Sequence, residues 1–203
     1  MFEKSFTEEL RKVSHDKSLI ETLLSELKRQ YGKSKRHYHN LTHLDNLLDE
    51  LLPVKSMIND WQTIIFSIGY HDIIYSVFKN DNEERSAKLA YERLTQLSAP
   101  DQQKQKCAEQ IFATKAHQLS TDSDTNYFTD ADLAILGASP DTYKQYAKLI
   151  RKEYGLFPGY IYNPGRKKVL KHFLGMPRIF KTDYFFNKYE EAARRNLNAE
   201  LSE

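Results

Sequence analysis

Apolar residues along this chain recur at spacings of three and four, the period of an α-helix lying on a core. Leu19, Ile20, Leu23, Leu24 and Leu27 form one stripe that stops at Tyr31-Gly32. Leu41, Leu44, Leu47, Leu48, Leu51 and Leu52 form a second that stops before Pro53. A third segment runs from Trp61 through Ile64, Ile65 and Ile68 to Ile73, and its middle is apolar nearly all round, which predicts a buried central helix. Further helices are predicted over about 82–98 and 100–117. Residues 118–128, QLSTDSDTNYF, are polar and predict a loop before a short helix near 129–137. Ser139-Pro140 pairs an N-cap with a proline at the first helical position, predicting a helix to Tyr154 that Gly155 ends. Asn163-Pro164 repeats the device and predicts a helix over 167–174, with a last one over about 182–197. Strand-like alternation is confined to Tyr160–Tyr162. The expectation is an all-α fold of about eight to nine helices in one domain over 1–203, with a core of about 36–137 and a C-terminal helical extension over 139–203.

Composition narrows the class. With 40% hydrophobic and 12% aromatic residues the chain can bury a core, which excludes a disordered chain. Thirty Lys+Arg against 28 Asp+Glu leave a formal charge of +2, which argues against a nucleic-acid polymer as partner but not against a small anionic substrate. The one cysteine, Cys107, allows no intramolecular disulfide and no multi-cysteine zinc site. The start, MFEKSFTEEL, has no apolar signal core, and no run of 18 apolar residues occurs. These features predict a cytoplasmic protein with no membrane association; a homodimer stays open.

The chemistry concentrates in a few histidines and aspartates. Within RHYHNLTH, His39 and His43 stand four apart at a helix start, on one face about 6 Å apart. His71-Asp72 ends the buried helix, where polar groups beside an apolar run need partners. Asp130 and Asp132 lie in YFTDADLAILG. Two imidazoles with two carboxylates make a mixed N/O donor set suited to Mn, Fe, Ni, Co, Zn or Mg ions, one or two per chain.

The ordered set His43, His71-Asp72, Asp132 resembles the H…HD…D signature of the HD superfamily of metal-dependent phosphohydrolases. YHNLTHL and ADLA are similar to motifs of its cyclic-nucleotide phosphodiesterase branch. RHYHN, YHDxxY, NEERSA and DADLxILG are similar to a compact bacterial group of predicted phosphohydrolases. The resemblance implies His43, His71, Asp72 and Asp132 as metal ligands and His39 as proton donor to the leaving oxygen. It implies hydrolysis of a phosphate ester of a small molecule, a nucleotide being the first candidate, by metal-activated water, as a phosphomonoesterase or phosphodiesterase. Asp130, His117, Glu83 and Glu84 are candidates for support of the ligands or for a second metal. Arg36, Arg166 and Lys167 are candidates for the substrate phosphate, Arg36 through its guanidinium fork. Two other functions stay open: an HD-type di-iron oxygenase, and a non-catalytic sensor that keeps the metal pocket.

Overall fold

In the computed structural model, which describes residues 1–202, ten α-helices carry the fold and no strand occurs among the described residues. The helices are α1 (Phe2–Val13), α2 (Lys17–Tyr31), α3 (Leu41–Leu51), α4 (Trp61–Tyr70), α5 (Asn82–Gln96), α6 (Asp101–Ala113), α7 (Ser123–Leu133), α8 (Pro140–Glu153), α9 (Gly159–Leu174) and α10 (Asp183–Leu201). Short 3₁₀ segments follow α3 (Leu52–Met57) and α7 (Ala134–Gly137).

The all-α expectation holds, and the number and bounds of the helices change. The additional helix is α1, whose Phe2, Phe6 and Leu10 recur every four residues and are buried. The polar stretch 118–128 is half helix: Asp122 caps α7 by accepting from Thr125 N–H, so the helix starts six residues before the predicted 129. Tyr160–Tyr162 is helical, and Pro164 lies inside α9 rather than at its start.

The core forms around α4. Every residue of α4 from Thr63 to Tyr70 is buried, and α1, α3, α5, α6 and α7 all pack on it. Its N-terminus is fixed by Asp60, which accepts from Thr63 N–H, and by the buried Asp124 of α7, which accepts from Asn59 and Asp60 N–H and pairs with Lys106. A carboxylate meeting the free N–H groups and positive end of a helix is favourable. The last helix docks through Gly137, where an added Cβ would lie 2.6 Å from Tyr189 Cβ and 2.8 Å from the Tyr189 carbonyl oxygen.

This contact yields a test. Gly137→Ala forces α10 off the 3₁₀ turn behind α7 and is expected to destabilise the protein by about 1–3 kcal/mol, read as a lower urea midpoint at unchanged slope.

Candidate metal centre

Three separate segments deliver the polar side chains. Asn40 caps α3 by accepting from Thr42 N–H, which puts His43 on the first turn of that helix, 4% exposed. His71 follows α4 and is 1% exposed. Its Nδ1 lies 2.9 Å from the Ile68 carbonyl. A carbonyl only accepts, so Nδ1 carries the proton and Nε2 faces the cluster. Asp132 comes from the last turn of α7.

The donor atoms converge. His43 Nε2 and His71 Nε2 are 3.1 Å apart. Asp132 Oδ1 lies 3.3 Å from His43 Nε2 and 3.7 Å from His71 Nε2. Asp72 Oδ2 lies 3.2 Å from His71 Nε2 and 4.0 Å from His43 Nε2. Adjacent donors on an ion with bonds of about 2.0–2.2 Å sit about 3 Å apart, so the spacing fits a single cation. The His43, His71 and Asp132 group could therefore hold a metal ion. The donor chemistry fits too: two imidazole nitrogens aimed at each other in a buried site have no reason to approach unless a proton or cation lies between them.

The charges carry the same message. Burial lowers the pKa of His43 and that of His117, the latter to about 4. At His71 burial pulls the same way, but Asp72 and Asp132 outweigh it and raise the value to about 9. Burial raises a carboxyl pKa, yet at Asp132 the His43 hydrogen bond and the His71 charge bring it down to about 2. Asp72 falls further, against its burial, through His71 and His39. A proton retained on His71 is the cation that this pair of carboxylates otherwise lacks.

His39 stands beside this cluster, Nε2 3.9 Å from Asp72 Oδ2. Its other nitrogen, Nδ1, is 2.7 Å from Glu153 Oε2. Glu153 is buried at the end of α8 and also accepts from the N–H groups of Tyr38 and His39 and from the Tyr75 hydroxyl. Burial would raise its pKa, but His39 and these donors hold it at about 2. It is therefore an ionised acceptor, and His39 Nδ1 must be the donor. Glu153 carries no signal in the sequence: within IRKEYG it reads as one more charge on a solvated helix end.

The remaining candidates divide. His117 belongs to the neighbourhood: it follows α6 at φ 51°, its Nε2 is 3.7 Å from Asp132 Oδ2, and its buried Nδ1 has no hydrogen-bond partner. Glu83 is half-buried, and its pKa is raised by that burial and by Asp72. Glu84 instead pairs with Lys115 on the surface. Asp130 supports a different helix: it accepts from Lys181 and Thr182 N–H and the Thr182 hydroxyl at the start of α10, and pairs with Lys181 Nζ. Arg166 is bound to Glu200 through two nitrogens, and Lys167 is exposed on α9.

Arg36 has a role other than phosphate contact. It is 6% exposed and donates to the carbonyls of His39 (3.3 Å), Asp72 (2.7 Å) and Ile73 (2.9 Å). Its guanidinium lies 4.8 Å from the Tyr31 ring centre. The fork is spent on backbone oxygens left without partners where α4 ends. It ties the loop bearing His39 to the loop bearing His71 and Asp72.

Arg36→Ala leaves buried carbonyls unpaired and is expected to cost about 2–4 kcal/mol in urea unfolding. Arg36→Lys recovers less than half of this, because one ammonium cannot span three carbonyls. Full recovery by lysine would show that charge, not the fork, is what counts.

Comparison with protein-family models, with curated proteins and with solved structures finds no match to this chain.

Proposed function

We propose that the chain is an HD-type, metal-dependent phosphohydrolase acting on a phosphate ester of a small molecule, with His43, His71, Asp72 and Asp132 holding the metal. One observation carries the reading: His43 and His71 Nε2 stand 3.1 Å apart, a carboxylate oxygen of Asp72 and one of Asp132 each lie within 4.0 Å of both, and a histidine with a fixed tautomer stands beside them. When bound, a divalent ion supplies Lewis-acid chemistry, polarising a phosphoryl oxygen and acidifying water.

The chain's own residues supply the rest. Glu153 holds His39 Nδ1–H, so Nε2 is the nitrogen that faces the site. Burial lowers the His39 pKa, but Asp72 and Glu153 outweigh it and raise it overall, which favours the form that carries a proton on Nε2. From there His39 gives the proton to the leaving oxygen. Tyr38 and Tyr75 pack against the His39 ring, centroids at 5.0 and 4.4 Å, and restrict its rotation. The metal ligands leave a route to solvent: His43 and Asp132 line a cavity of about 370 Å³ between α3, α7 and the start of α8.

A second reading, an oxygenase with two metal ions, has His117 in its favour, since this histidine flanks Asp132 with one nitrogen unpartnered. Oxygen consumption by the iron-loaded protein would favour it over phosphate release.

The test uses leaving groups of different basicity. His39→Ala is expected to lower kcat on nucleoside monophosphates by about 10²-fold or more, the scale of general acid catalysis. On p-nitrophenyl phosphate, whose leaving group needs no proton, the loss is expected to be much smaller. Equal losses on both would remove His39 as the proton donor, and no phosphate release from either substrate by the metal-loaded wild type would remove the phosphohydrolase.

A further inference from the structure

Behind the His39–Glu153 pair lies a second cleft of about 480 Å³, within the size range of small-molecule sites. It is formed by the loop before α3, the loop after α4 and the end of α8. Among the described residues lining it are none of His39, His43, His71, Asp72 or Asp132, so it is not the approach to the proposed metal.

The lining has two chemistries. Lys33, Lys35 and Lys152 come from two segments far apart in sequence, and none of them makes an ion pair among the described residues. The one carboxylate that lines the cleft, Glu153, is already satisfied by Tyr38, His39 and Tyr75. Arg36 lines it as well, and its buried Nε has no hydrogen-bond partner while its other nitrogens hold the backbone. Burial, and secondarily the nearby charges of Arg36 and Arg29, lower the pKa of Lys33. Against this stands an apolar wall: Tyr75 inside, and Phe78 and Leu156 at the rim, 62% and 68% exposed. Solvated lysines alone would not make a site. Unpaired lysines and exposed large apolar side chains lining one cleft, with Arg36 in the same wall, match a ligand with a charged head and an apolar body.

We propose that this cleft is a binding site for a small amphipathic anion, a phosphate or carboxylate head held by Lys33, Lys35 and Lys152 and an aromatic or branched body lying on Tyr75, Phe78 and Leu156. A cation is repelled there, and a neutral apolar molecule finds no anchor. The cleft and the metal centre share a wall. Tyr75 lines the cleft and donates to Glu153 Oε2 at 2.8 Å, and its ring lies against His39. Glu153 itself lines the cleft, so an anion bound there sits beside the group that orients His39. The inference does not depend on the phosphohydrolase reading.

The probe is 8-anilinonaphthalene-1-sulfonate, an aromatic sulfonate whose fluorescence reports binding, titrated into the full-length, metal-loaded protein with and without EDTA. Saturable binding at about one equivalent, unchanged by EDTA, is expected. Lys35→Glu/Lys152→Glu is expected to raise Kd by about tenfold or more, since two charges beside a bound anion are reversed. These side chains are exposed and unpaired, so the melting temperature serves as the check on folding, and Phe78→Ser is a second variant expected to weaken binding without touching charge. The proposal is overturned by absence of saturable binding to the wild type, by a Kd in both variants within about twofold of wild type, or by loss of binding in EDTA, which would put the probe on the metal.

Discussion

Arg36 holds together the two halves of the candidate site. Where α4 stops at Tyr70, the carbonyls of Asp72 and Ile73 lose their helical partners, and burying them unpaired would cost about 1–3 kcal/mol each. Arg36 reaches from the segment before α3 and accepts that task with two nitrogens, while also binding the carbonyl of His39. A planar fork with several donors can bridge two loops; an ammonium cannot do so equally well. The position of His39 and His43 relative to His71 and Asp72 follows from this clip together with the Asn40 cap of α3.

A buried cluster of this kind is costly unless its charges cancel. Two carboxylates and two imidazoles share one small volume, and the carboxylates raise the pKa of His71 while burial lowers that of His43, so the cluster favours positive charge among its members. Structural ion-pair networks elsewhere in the molecule look different. Asp124 and Asp130 are more deeply buried than Asp72 and Asp132, but each is saturated by backbone N–H groups at a helix start and by a lysine. The cluster around His43 has few such donors. Its polar atoms point at one another, which is the arrangement of ligands rather than of caps.

Much of this was legible in the sequence, and the exceptions have physical causes. Stripes of leucine and isoleucine gave α2, α3 and α4, because these helices bury apolar faces. The start of α7 escaped because its inward residues are Asp124, Thr125 and Thr129, polar groups satisfied by hydrogen bonds that periodicity cannot detect. The second half of α9 was predicted; its first half escaped because residues 159–166 bury no apolar side chain and include Pro164, which a helix interior usually excludes. α1 escaped because charged residues surround its repeat of Phe2, Phe6 and Leu10. His43, His71, Asp72 and Asp132 stood out as polar residues in or beside apolar runs, and the structure brings them together. Glu153 did not, since only its burial sets it apart from the charged residues around it. Arg36 was expected on the substrate phosphate and Asp130 beside the ligands; both instead bind backbone that tertiary contact brings to them, which no local motif encodes.

The central claim is that the His43–His71 pair, with Asp132 and Asp72, is a metal centre. The most direct measurement is plasma mass spectrometry of the untagged protein as purified and after incubation with Mn, Fe, Co, Ni or Zn salts, beside an Asp132→Ala variant. The account predicts about one or two equivalents of a divalent ion in the wild type and loss of most of it in the variant. A wild type that carries no metal and retains none after incubation would contradict the account, and the cluster would then be a buried hydrogen-bond network that happens to gather histidines.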